Sequence, residues 1–242
     1  HPTRGIRRSR IIRTMIGDGV GQELSDLARR IFDLLESAYG NEARLSLEAS
    51  GEPLDGLILT ILSQNTNDVN RDRAYGNLRS LFPSWESVME APVEDLEGAI
   101  RVAGLGASKA RRIKEVLYKV KETFGTLSLG AMRSWRRDEV EAFLSTLPGV
   151  GPKTVACVLV FDLGIPAFPV DTHVARLSVR MGLAPGGMKP WEIQLRLESL
   201  IDPERYLGAH VNLIFHGRRI CKAQRPRCGD CPLLGTCLQV GL

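Results

Sequence analysis

Residues 141–173 read EAFLSTLPGVGPKTVACVLVFDLGIPAFPVDTH, and the fold turns on them. Phe143, Leu144 and Leu147 share one apolar helix face. Leu147-Pro148-Gly149-Val150-Gly151-Pro152 is a turn. Pro148 breaks the helix, and Gly149 and Gly151 flank Val150 where a sharp hairpin asks for permissive backbone angles. Val155, Val158, Leu159 and Phe161 continue as a second apolar helix, with Lys153 the one charge in its first turn. Asp171 stands eighteen residues after Lys153, directly before the helical run Thr172–Met181. A carboxylate there caps a helix N-terminus.

The stretch combines three chemical features. Glycines at a helix start leave backbone N–H groups bare, which suits a phosphate. Lys153 sets an amine beside them, and Asp171 adds a carboxylate. Together these can handle a nucleotide. On residue types alone, a helical hairpin with one solvated lysine and one capping aspartate accounts for the same pattern.

Working outward, apolar periodicity marks helices almost everywhere, and strands are scarcely signalled. Gln22–Tyr39 carries Leu24, Leu27, Ile31, Leu34 and Leu35 in one stripe and ends at Gly40. Leu54–Leu62 is nearly all apolar, reads as a buried helix, and ends in the polar cluster Ser63-Gln64-Asn65-Thr66-Asn67-Asp68. Ser84 caps a short helix with Trp85 and Val88, and Pro92 opens the next. Gly104-Leu105-Gly106 is a turn with an apolar residue between glycines, and Ser108 is placed to cap the helix that runs to Phe124. Pro190–Leu200 and Tyr206–Ile220 close the series. The expected fold class is all-α.

At 242 residues, with 43% hydrophobic content, the chain can bury a full core in one or two domains. No apolar run reaches membrane-span length and no signal-peptide pattern precedes the first helix. A cytoplasmic chain, with no membrane partner, is therefore expected. The net charge of +4 is mild, but its distribution is not even. Arg4, Arg7, Arg8, Arg10 and Arg13 precede the first acidic residue. Lys109, Arg111, Arg112 and Lys114 follow a glycine turn, and Arg218, Arg219, Lys222, Arg225 and Arg227 surround a cysteine. Such clusters suit a polyanion, and solvated faces account for them equally well.

Four of the five cysteines form Cys221-x6-Cys228-x2-Cys231-x5-Cys237. Beside so large a core this segment needs no pair of disulfides, and reduced thiols favour metal ligation. Only Cys228 and Cys231 have the short pairing usual for zinc, and four thiolates also suit an iron–sulfur cluster, so spacing leaves the metal open. Cys157 stands apart on an apolar face, as a core residue would.

LPGVGPKTVACVL followed by VDTH resembles the helix-hairpin-helix and aspartate segment of the endonuclease III family of DNA glycosylases. The resemblance runs from about Gln22 to Cys237. It implies two helical domains flanking a DNA groove: a six-helix barrel at about 46–163, and a second domain of 21–45 with 164–242, leaving 1–20 as a basic extension. It implies Lys153 as nucleophile and Asp171 as its catalytic partner, with Gly149, Val150 and Gly151 binding DNA phosphate. SQNTND is similar to the family loop that fills the hole left by an extruded nucleotide, where either Gln64 or Asn65 serves. GLGASKA is similar to the second loop, with Leu105 as the wedge, and Asp68 matches a position near the active site. The cysteine spacing is similar to the family's 4Fe–4S loop. The implied activity is that of a bifunctional glycosylase and abasic-site lyase. It would act, as a monomer, on oxidised pyrimidines or abasic sites in double-stranded DNA. A glycosylase of the same superfamily for mismatched, deaminated or alkylated bases is one alternative, and a non-catalytic DNA-binding hairpin module is another. One departure is visible: Ser145 stands where endonuclease III relatives often carry glutamate.

Overall fold

A computed structural model describes residues 18–40 and 51–242. The arginine tract at 4–13 and the domain limit expected at residues 45 and 46 lie outside the described residues. These are helical throughout, with turns and loops between, and contain no strand. They separate into two compact units, 51–165 and 18–40 with 166–242.

The first unit is built on α2 (Pro53–Ser63), after α1 (Asp18–Tyr39) of the other unit. Leu54, Leu57, Ile58, Ile61 and Leu62 of α2 are all fully buried. Each contributes about 1.5–3 kcal/mol by leaving water. Glu52 starts the helix: its carboxylate accepts from Leu54 N at 3.2 Å and from Leu129 N and Ser128 Oγ, both at 2.7 Å. Around α2 follow α3 (Asp68–Leu81), α4 (Trp85–Glu90), α5 (Val93–Ile100), α6 (Gly106–Phe124), α7 (Arg137–Leu144) and α8 (Pro152–Cys157). Asn67 caps α3 on Asn70 N, and Ser84 caps α4 on Ser87 N. Ser108 does not cap α6: that helix begins at Gly106, with Leu105 left-handed before it, so Ser108 lies within its first turn.

The second apolar helix also differs from expectation. α8 ends at Cys157 and widens into a π turn, Val158–Asp162, where Leu163 N bonds to Val158 O. The extra residue per turn rotates Phe161 off the apolar face. Phe161 is therefore 44% exposed, while Val155, Val158 and Leu159 are buried, as is Cys157. At the end of this turn the Asp162 carboxyl lies against Gly56 of α2, so closely that a Cβ at 56 would meet Oδ1 at 1.8 Å. Burial pushes the Asp162 pKa up to about 7, with Arg133 pulling it down and Asp55 adding to the rise.

A carboxyl that holds its proton in the folded chain and loses it near pH 4 when unfolded favours folding while it stays protonated. That contribution is complete below about pH 4 and is lost as pH rises through 7. Asp162→Asn should remove this dependence and raise the unfolding free energy at pH 8 by about 2–4 kcal/mol. Denaturant titrations at pH 5 and 8 check it. Equal stability of variant and parent at pH 8 would remove Asp162 as a source of the pH dependence.

The second unit packs α1 against α10 (Pro190–Leu200) and α11 (Tyr206–Arg219), and α9 (Thr172–Arg180) packs in turn against α11 and α10. Ile31, Leu35, Phe168, Leu177, Leu197 and Leu213 form its centre. Arg205, 10% exposed at its side chain, anchors α1 through Asp33 and Glu36 at 2.8 and 2.9 Å. No described helix is long and apolar enough to cross a membrane.

Candidate functional site

The hairpin joins α7 to α8. Gly149 has φ +74, a left-handed turn that a side chain would strain, whereas Gly151 is extended at φ −97 and needs no such freedom. The expectation that both glycines serve the turn geometry therefore holds for Gly149 alone. Val150 is buried at 7% exposure and seats the turn on the core. The Arg112 side chain of α6 packs closely on Gly149, where a Cβ would come within 2.7 Å of its Cδ. Arg112 Nη1 donates to Gln64 Oε1 at 3.3 Å, and Gln64 Nε2 donates to Gly149 O at 3.0 Å. Hairpin and polar loop are thus joined through one amide side chain.

This bonding separates the two residues left open by the sequence. Gln64 spends one end of its amide on the hairpin and the other on Arg112. Asn65 is the exposed tip of the loop, left-handed at φ 54. Leu105 is likewise left-handed at φ 52 and 59% exposed. Asp68 sits in the first turn of α3 and pairs with Arg71 at 3.2 Å.

The cluster at 109–114 is not the solvated patch that its charge suggests. Lys109 is 1% exposed, and its Nζ donates to Leu62 O at 2.9 Å and Ala103 O at 2.8 Å. Burial, and then the Arg112 charge, push its pKa down. Lys114 Nζ donates to Ala91 O. The signal was present: Lys109 lies in helical register with the buried Ile113, Val116 and Val120.

Lys153, in the first turn of α8, is half-buried, and its amine holds no bond to the described residues. Ser145 is exposed at the end of α7 and offers no carboxylate.

In the other unit, Asp171 caps α9, accepting from Val174 N at 2.8 Å. His173 beside it has its pKa lowered by burial, with the Asp171 charge opposing. The far end of α9 grips the cysteine segment. Arg176 Nη2 donates to Gly217 O and Cys221 O, and Arg180 Nη1 donates to Lys222 O at 2.6 Å and Cys221 Sγ at 3.4 Å.

Cys221, Cys228, Cys231 and Cys237 are free thiols lining one pocket, about 370 Å³ with its open mouth, beside His216 and Leu233. Leu233 N and Gln239 N donate to Cys231 and Cys237 Sγ, each at 3.4 Å. Burial pushes the Cys231 and Cys237 thiols up, against the pull of those amides, and the neighbouring cysteines add to the rise. Burial also holds His216 down to about 4, so it is neutral at pH 7, with Nδ1 bonded to Tyr39 Oη at 2.7 Å. Among the described residues, no three His, Cys, Asp or Glu side chains converge as ligands of a single ion.

Comparison with known proteins gives concordant results. Residues 58–203 match the profile of the HhH-GPD superfamily of base excision DNA repair proteins. A protein of Arabidopsis thaliana named as a candidate DNA glycosylase is 38% identical over 192 residues, 75% of this chain; the chain spans 65% of that relative, just under two thirds of its length. Endonuclease III of Bacillus subtilis is 35% identical over 185 residues, covering 76% of this chain and 80% of the relative. A trapped endonuclease III–DNA covalent intermediate superposes with a TM-score of 0.76 at 30% identity, covering 89% of this chain and 96% of that one.

Proposed function

The chain belongs to the HhH-GPD superfamily of base excision DNA repair proteins as an endonuclease III-like DNA glycosylase, and from this we propose that it is bifunctional, excising oxidised pyrimidines from duplex DNA and cleaving the strand at the abasic site. The observation that carries the reading is Lys153, a half-buried amine with no bond to the described residues, in the first turn after the hairpin.

A base inside a duplex is out of reach, so the target nucleotide has to be extruded. Gly149, Val150 and Gly151 hold the DNA backbone, while Asn65 and Leu105 enter the stack and offset part of the unstacking cost, a few kcal/mol. Gln64 supports Asn65 from the hairpin side. Lys153 Nζ attacks C1′ of the deoxyribose and the base leaves. The sugar ring opens to a Schiff base on Lys153, and loss of a C2′ proton then breaks the C3′–O bond. Asp171 accepts the lysine proton, directly or through water, and steadies positive charge on the sugar as the base departs. Oxidised pyrimidines such as thymine glycol have lost aromaticity and stack poorly, which lowers the cost of extruding them.

The cysteine segment fits a 4Fe–4S cluster held by Cys221, Cys228, Cys231 and Cys237. Four thiols face one pocket without converging on a point, and amides and Arg180 donate to the sulfurs. Such a group, when bound, supplies the cross-link that orders a loop with little apolar surface of its own. About four iron atoms per chain are expected in protein purified without air. Cys228→Ser should lower soluble yield more than it slows the chemical step. Stoichiometric zinc without iron would overturn the cluster assignment.

The test of the function is single-turnover excision across matched duplexes containing thymine glycol, a dihydropyrimidine, uracil or an alkylated purine. Thymine glycol or the dihydropyrimidine is expected to react fastest, with strand cleavage. Fast removal of uracil or the alkylated purine, with no turnover of oxidised pyrimidine, would refute the substrate and leave the family standing.

A further inference from the structure

Asn65 and Leu105 are the two non-glycine residues of their unit, among those described, with a left-handed backbone. Such a conformation persists where its surroundings enforce it. The two tips lie forty residues apart in sequence, yet one atom stands behind both. Lys109 Nζ bonds to Leu62 O, three residues before Asn65, and to Ala103 O, two residues before Leu105, at 2.9 and 2.8 Å. Lys109 N also donates to Leu105 O at 3.0 Å.

Leu62 and Ala103 each stand in the last turn of a helical segment, α2 and the 3₁₀ turn Arg101–Ala103. Carbonyls at such ends lack partners within their own helix and carry partial negative charge. A compact ammonium with three protons satisfies both at once. An apolar residue of the same length would fill the space without the desolvation cost of a buried charge. What it would lack is a link between the two turns.

We propose that Lys109 is a positioning residue: a buried strut that locks the Asn65 and Leu105 tips at one separation, so that they enter a base stack as a rigid two-pronged wedge. This rests on the reading of both residues as intercalating. The strut acts through the wedge and touches neither substrate nor reacting atoms. Misplacing such a tip by about 1 Å is enough to cost roughly a hundredfold in rate.

Lys109→Met keeps an unbranched side chain of similar volume, one atom shorter, and removes both side-chain bonds. Single-turnover excision from a fully paired duplex should fall about 10–100-fold, and from the same lesion opposite a mismatch less than about threefold. In a Leu105→Ala background, Lys109→Met should cost less than about threefold on the paired duplex, because residues acting through one another are not additive. Full, independent losses in the double variant, or equal losses on the two duplexes, would overturn the strut. A separate arm needs no DNA: hydrogen exchange in the free protein should accelerate at 63–67 and 103–107 together. Unchanged exchange at either segment sinks the strut, whereas a parent enzyme inactive on every lesion sinks the functional reading instead. Should Lys109→Met fail to fold, Lys109→Gln enters the same cycle. If neither folds, the lysine is a stability element and the assignment falls.

Discussion

Lys153→Gln should reduce borohydride trapping on abasic DNA to background and slow strand cleavage by at least about a thousandfold, because no other nucleophile replaces a missing amine. Duplex binding should persist, since the hairpin backbone is unchanged. To attack, the amine has to be unprotonated, and Asp171 is the group proposed to take its proton in the DNA complex. Trapping of Lys153→Gln at the parent yield would assign the nucleophile to another amine.

Asp171→Asn should slow base excision about 10²–10⁴-fold, the usual range for a positioned proton acceptor. On a preformed abasic site the loss should stay under about tenfold, because the aldehyde needs no base expelled. Asparagine is as good an N-cap as aspartate, so the bond to Val174 N survives and α9 stays capped. The substitution thus changes charge without removing the cap. Asp171→Ala serves as the control and costs about 1 kcal/mol of stability besides. Equal losses of Asp171→Asn on both substrates would count against an aspartate that acts in base departure.

The ends of most helices were legible because they are set by local chemistry. Gly40 and Gly125 terminate helices with positive φ, Ser84 caps α4, and Pro190 opens α10. Asp171 as a cap was legible for the same reason: its partner is three residues away. The π turn was not. Val158–Asp162 packs against α2, and the residue types of the segment read equally well as plain helix.

Order along the chain determined the all-helical class, the hairpin, the cysteine segment and the family. Each depends on residue type at short spacing, where turn angles and helix periodicity decide. Only the tertiary structure decided that Lys109 points inward, that Gln64 is tied down while Asn65 is free at the tip, and that Arg112 covers Gly149. Those outcomes rest on contacts between residues 37, 47 and 85 positions apart, Arg112 with Gly149, Lys109 with Leu62 and Gln64 with Gly149. A charge or an amide has the same local signature whether it meets water or a distant carbonyl. Which partner it finds is settled when the helices carrying both are packed, since a buried polar group has to be bonded by whatever the fold brings to it.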